Sequence, residues 1–255
     1  MSNLPSVTDG VDLAPWPARP VFREMDLELG EPLPQVAALM AATSTITEQF
    51  RVLRSRVERL GRERPLRCVG LVSAAAGEGK TTVSIGLAHA LALVPERRVL
   101  LIEADIRRPA LGRSLGFEPL PGLLEYLRGE GDDVGVRRLN GASLFVLPAG
   151  TDPSAESELL GSERMGVLLE AARQLFDYVV VDCPPLIPVA DSVALQDRLD
   201  GLLLVVRSRQ CPRETVVRAV SLLDPERLRG LIFNAQRDLV PMYREFASRR
   251  YGYAP

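Results

Sequence analysis

Apolar residues fall along this chain in short, nearly unbroken runs separated by stretches with a helical period. The runs are Leu66–Val72, Arg98–Glu103, Ser143–Leu147, Tyr178–Asp182, Leu202–Val206 and Leu228–Phe233. Several are almost continuous Val, Ile and Leu without polar alternation, which marks strands buried on both faces. Between them, Thr81–Leu93, Glu163–Phe176 and Pro212–Leu223 carry the period of helices. This alternation predicts an α/β fold, a mostly parallel sheet with helices on both faces in three layers.

Another helix is predicted upstream. Thr45 and Glu48 have capping-box spacing. Ile46, Phe50, Leu53, Val57 and Leu60 then repeat at helical intervals, and Gly61 and Pro65 end the pattern. Glu48, Arg51 and Arg54 lie on the side away from much of that stripe. Residues 1–42 read differently. Pro5, Pro15, Pro17, Pro20, Pro32 and Pro34 interrupt any period, so this segment is expected to be a disordered, proline-rich leader. Trp16, between two prolines, reads as a stray aromatic or as a short docking peptide.

Charge and composition narrow the function. A formal net charge of −2 argues against a chain built mainly to grip nucleic acid, and none is expected as a partner. No apolar run reaches the ~18 residues of a membrane helix, and no apolar core follows Met1 as in a secretory signal. Cys68, Cys183 and Cys211 lack paired spacing and read as reduced thiols of a cytoplasmic protein. With His89 the only histidine, a structural zinc site is not expected.

Lys80 is the only lysine among 31 basic residues. It lies in Ser73-Ala74-Ala75-Ala76-Gly77-Glu78-Gly79-Lys80-Thr81-Thr82, between the first buried strand and the helix after it. That is the context of a phosphate-binding loop. Gly77 and Gly79 let backbone N–H groups turn toward an anion, and the helix adds its positive end. The nucleotide-binding stretch is thus Ala76, Gly77, Glu78, Gly79, Lys80, Thr81 and Thr82. Ala74 stands where the usual first glycine of the motif would be. Lys80 can reach β- and γ-phosphate oxygens, and the Thr81 hydroxyl can take a place around Mg²⁺. Two strands supply carboxylates at their carboxyl ends: Val179–Asp182, followed by Cys183-Pro184-Pro185, and Leu100–Glu103, followed by Ala104-Asp105. Thr81, Asp105 and Asp182 suffice for Mg²⁺, which takes few carboxylates beside phosphate and water oxygens. ATP and Mg²⁺ are the expected ligands.

Together these runs resemble the bacterial tyrosine kinases, P-loop kinases associated with export of capsular polysaccharide and exopolysaccharide. Gly77–Thr82 resembles the family's Walker A motif, Leu100–Arg107 its Walker A′ and Val179–Pro185 its Walker B. Glu103 stands where the family has aspartate. Glu48, Arg51 and Arg54 are similar to the family's Glu-x-x-Arg-x-x-Arg oligomer interface. The resemblance spans roughly residues 43–240, which would form the kinase domain, and leaves 241–255 as a tail. It implies a P-loop tyrosine autokinase with Lys80, Glu103 and Asp105 in catalysis. It further implies a ring-like homo-oligomer and Tyr243, Tyr251 and Tyr253 as phospho-acceptors on a neighbouring subunit. A transmembrane polysaccharide co-polymerase adaptor would hold the protein at the inner face of the membrane.

Two other readings use the same loop. A positioning ATPase of the MinD/ParA class would carry a second lysine near the loop's start, where this chain has Ser73-Ala74-Ala75-Ala76. A kinase-like ATPase could instead regulate its adaptor without phosphorylating tyrosine.

Overall fold

The computed structural model describes residues 19–41, 44–152, 157–187 and 191–236. Eight strands form one sheet: β1 (Val21–Leu27), β2 (Cys68–Ser73), β3 (Val99–Glu103), β4 (Asp133–Leu139), β5 (Leu144–Leu147), β6 (Tyr178–Asp182), β7 (Gly201–Arg207) and β8 (Leu228–Asn234). Their order across the sheet is β1-β4-β5-β3-β6-β2-β7-β8. Neighbours are parallel except β4 and β5, so β1 and β4 run against the other six. The helices are α1 (Pro34–Met40), α2 (Thr45–Glu63), α3 (Lys80–Ala92), α4 (Leu111–Leu115), α5 (Leu123–Arg128), α6 (Glu163–Leu175), α7 (Asp191–Gln196) and α8 (Arg213–Ser221).

Side chains leave a strand alternately to either face, and β3 shows the result. Leu100 and Ile102 enter a core shared with α5, α6 and α8. Val99 and Leu101 enter the core on the other face, with α1, α2, α3 and α4. Three layers follow, as the sequence pattern predicts.

The leader is the main correction. Within the segment expected to be disordered, β1 pairs in parallel with β4 over its whole length, and α1 buries Val36 and Leu39. Pro34 opens α1 in the first turn, where the missing N–H is no loss and the proline φ suits a helix. Residues 1–18, with Trp16, lie outside the described residues, as does the tail with Tyr243, Tyr251 and Tyr253.

The cap of α2 is a second correction. Ser44, one residue before Thr45, accepts from Thr47 N at 3.0 Å. Thr47 Oγ1 lies 2.9 Å from Leu39 O and 2.7 Å from Ala41 O, joining the end of α1 to the start of α2. Ile46 is exposed. Phe50 packs against α3 at Gly86, where an added Cβ would lie 2.3 Å from the ring.

Asp200 fastens the amino ends of β2 and β7. Its Oδ2 accepts from Arg67 N at 2.9 Å and Cys68 N at 2.7 Å, and its Oδ1 meets Arg173 Nη2 at 3.1 Å. Asp200→Ala should therefore cost about 2–3 kcal/mol. Urea denaturation would show a lower midpoint at unchanged slope.

Candidate active site

The phosphate loop is shaped by glycine and held from the far edge of the sheet. Gly77 and Gly79 have φ of 83° and 82°, a region that glycine enters without strain. At Gly79 a Cβ would also lie 2.1 Å from Asn234 Nδ2. Asn234, at the end of β8, donates to Glu78 O at 2.9 Å, and Arg207, at the end of β7, donates to Gly77 O at 3.2 Å. Glu78 is buried, and its Oε2 accepts from Ala74 N at 2.9 Å and Ala75 N at 3.4 Å. Ala74 is not among the residues with positive φ, so alanine serves there without backbone strain. Gly79 caps α3, whose first turn is Lys80, Thr81 and Thr82.

Strand register brings the acids to this loop. Asp182 stands opposite Leu71 of β2 on one side and Glu103 of β3 on the other. Lys80 Nζ lies 2.7 Å from Asp182 Oδ1 and 3.5 Å from Asp105 Oδ2. Ser84, one turn along α3, places its Oγ 3.2 Å from Asp182 Oδ1. Burial opposes the charged ammonium, yet Asp182 and Asp105 outweigh it and hold the Lys80 pKa above its usual value. Burial raises Asp105, and the charge on Asp182 adds to this against the pull of Lys80.

Asp105 Oδ1 and Asp182 Oδ2 are buried with no hydrogen-bond partner. Such oxygens are costly unless a ligand takes them up, and they suit a small hard cation. Among the described residues no group of three or more His, Cys, Asp or Glu could hold a metal. Mg²⁺ needs only one or two carboxylates when phosphate and water oxygens complete its shell, so the donors present fit it.

Glu103 is placed differently. Its Oε1 accepts from Ala110 N at 2.5 Å and Leu111 N at 2.7 Å, and its Oε2 from Ala149 N at 3.2 Å. The carboxylate ties the loops after β3 and β5 together. Burial raises its pKa against those three N–H bonds. Glu103→Asp, shorter by one methylene, should lose part of this reach and about 1–3 kcal/mol of stability. Thermal melting of the purified variant measures it, and an unchanged midpoint would contradict this role.

Glu48 and Arg51 pair at 3.2 Å on the outer side of α2. Arg54 does not share that outward aspect. Its Nη1 donates to Ala90 O of α3 at 2.9 Å. Sequence reasoning missed Ser84, Arg207 and Asn234 as supports of the site. Ser84 could have been found, since it lies four residues after Lys80 on one helix face. Arg207 and Asn234 carry no local signal, because only sheet order brings β7 and β8 to the loop.

The sheet order, the loop after β2 and the neighbouring strand-end acids define a P-loop nucleotide-binding domain. The chain belongs to the CobQ/CobB/MinD/ParA nucleotide binding domain family, whose model matches residues 69–235, and within it to the bacterial tyrosine kinases. It is similar to tyrosine-protein kinase YwqD of Bacillus subtilis, at 33% identity over 205 residues, covering 79% of this chain and 86% of that one. It is 37% identical over 180 residues to the succinoglycan biosynthesis transport protein ExoP of Rhizobium meliloti, covering 69% of this chain and 23% of ExoP. Among solved structures, the kinase domain of the Escherichia coli tyrosine kinase ETK superposes with a TM-score of 0.70 at 29% identity. That match covers 83% of this chain and 84% of the other. Among the described residues no helix is long and apolar enough to cross a membrane.

Proposed function

We propose that this chain transfers the γ-phosphoryl group of Mg·ATP to tyrosines in the tails of neighbouring copies, and thereby regulates polymerisation and export of an exopolysaccharide or capsule. The observation that carries the proposal is Lys80 held between Asp182 and Asp105, each with a buried oxygen left unpartnered beside the phosphate loop. The names of the relatives support the reaction and its setting: YwqD is a tyrosine-protein kinase and ExoP a succinoglycan biosynthesis transport protein.

In this reading Ala76 to Thr82 surround the phosphates, with N–H groups at the start of α3 facing them. Lys80 exchanges its carboxylate partners for β- and γ-phosphate oxygens. That exchange frees Asp182 and Asp105, which with Thr81 would hold Mg²⁺. When bound, Mg²⁺ neutralises charge developing between the β- and γ-phosphates. The incoming phenol has a pKa near ~10 and gains from a base. Asp105 is the candidate to orient or deprotonate it, because it follows the carboxyl end of β3 within reach of Lys80. Glu103 acts from behind by holding the loop that carries Asp105. Tyr243, Tyr251 and Tyr253 of another copy are the acceptors. A ring built through the α2 face with Glu48 and Arg51 delivers them, while Arg54 ties that helix to α3. A transmembrane adaptor of the co-polymerase class places the ring at the membrane.

The test uses purified protein, ATP, Mg²⁺ and the cytoplasmic peptide of the adaptor. Phosphotyrosine should form on the wild type and vanish in Lys80→Met and in the triple Tyr243→Phe, Tyr251→Phe, Tyr253→Phe variant. ATP turnover with no phosphotyrosine would replace this reading with a regulatory ATPase.

A further inference from the structure

At the β1 edge of the sheet, Arg137 breaks the usual rule for a buried charge. It exposes 9% of its surface, yet among the described residues no carboxylate lies within ion-pair distance of it. Its Nη1 instead points at Met25 Sδ, 3.1 Å away, and a thioether is only a weak acceptor. Burial, the one influence acting on its pKa, lowers it. A charge withdrawn from water without a partner is costly. The side chain is moreover not packed shut, because it lines a cavity of about 210 Å³ together with Arg23, Met25, Gly122, Glu125, Asp133 and Gly135.

The local sequence builds this opening. Register pairs Arg23 with Gly135 and Met25 with Arg137 across β1 and β4. At Gly135 a Cβ would lie 2.9 Å from Arg137 Nη1 and 3.0 Å from Met25 Cε. Bare backbone there lets the guanidinium lie across the strand. The acids nearby are already engaged. Asp133 meets Arg23 Nε at 2.6 Å. Glu125 accepts from Gly122 N, Thr151 N and Thr151 Oγ1, each at 2.8 Å. Burial would raise the Glu125 pKa, but those hydrogen bonds prevail and keep it below its usual value.

We infer that this cavity is a second ligand site, distinct from the nucleotide site, in which Arg137 receives the carboxylate of a small acid or of an acidic side chain. The planar fork of a guanidinium matches a carboxylate in two parallel hydrogen bonds. The ionised Glu125 on the wall disfavours a dianion such as a phosphate monoester and leaves a singly charged group as the better occupant. Three strands separate β4 from β2, about 19 Å at ~4.8 Å per step. The cavity therefore lies apart from the phosphate loop.

The experiment uses the full chain saturated with ADP and Mg²⁺, so that probe anions do not compete for the phosphate loop. Thermal melts are run at constant ionic strength, with chloride replaced stepwise by acetate or by N-acetyl-glutamate amide. The wild-type midpoint should rise with either or both probes. A rise with acetate identifies a small free acid as sufficient, and a rise with the glutamyl probe alone identifies an acidic side chain. Arg137→Met should abolish the response while melting no lower than wild type in chloride, because it removes an unpaired buried charge. Gly135→Val keeps the charge but fills the floor, and it should abolish the response as well. No rise in the wild type, or an equal rise in a folded variant, overturns the site.

Discussion

Lys80→Met is expected to reduce phosphotyrosine formation by about 10²–10³-fold, to below detection in a standard assay, and also to weaken the protein before any nucleotide is added. The first effect follows from removing a fixed positive charge aimed at the transferring phosphoryl group, where single donors are worth about 10²–10³-fold. The second follows from the unliganded structure. Asp182 and Asp105 share the Lys80 ammonium at 2.7 and 3.5 Å, and methionine leaves two buried carboxylates facing each other without it. Removing one partner of a buried pair costs about 3–5 kcal/mol. The deficit has a predictable pH dependence. Asp105 already binds its proton more tightly than a free aspartate, through burial and the charge on Asp182. A group with a raised pKa favours the folded state below that pKa and loses this as pH rises through it. The variant should therefore melt furthest below wild type at alkaline pH and recover as the solution is acidified. Mg²⁺ alone should raise its midpoint more than that of wild type. Equal melting of the two proteins in EDTA at pH 8 would contradict the structural half of this argument.

Gly86→Leu should produce the other large effect, far from any ligand. Gly86 lies in α3 beneath Phe50 of α2, and a Cβ there would stand 2.3, 2.4 and 2.6 Å from three ring carbons. The ring has to leave, and with it the packing between α2 and α3. Overpacking costs about 1–3 kcal/mol and occasionally more, and here the upper end is expected because a whole helix contact is displaced. Calorimetry should show a midpoint lower by roughly 6–12 °C at 2–4 °C per kcal/mol. The same substitution should weaken self-association if the outer face of α2 is the interface, since that face is positioned by this contact. Sedimentation velocity on the folded variant at low temperature reads the second effect. Assembly identical to wild type would separate α2 from the interface.

The buried strands were legible because continuous Val, Ile and Leu leave few alternatives. The loop was legible because Gly77, Gly79, Lys80 and Thr81 occupy a strand-to-helix junction. β4 carries little signal in the sequence, since Gly135, Arg137 and Arg138 interrupt its apolar positions and its whole-length pairing with β1 is non-local, leaving only a short antiparallel contact with β5 nearby in the chain. α1 is hidden by an ambiguous signal: Pro34 breaks the period of the sequence, yet it stands in the first turn of a helix, where proline fits. Glu103 shows a different limit. One extra methylene looks like a small change of catalytic geometry in the sequence, but only the fold reveals the backbone N–H groups of Ala110, Leu111 and Ala149 waiting at that distance. Arg54 likewise satisfies a spacing rule on paper and a carbonyl of α3 in space.

The segment that joins the sheet as β1 and α1 bears on how this protein can be shortened. Gly30 N donates to Gly116 O and Leu33 N to Ser114 O, and α1 inserts Val36 and Leu39 into the same core as Leu111 and Leu115. A fragment starting at residue 43, where the kinase-like motifs begin, would uncover that core and bare the open edge of β4. Unprotected strand edges recruit other chains, so such a fragment should precipitate or form irregular aggregates, whereas one starting at residue 19 should remain dispersed.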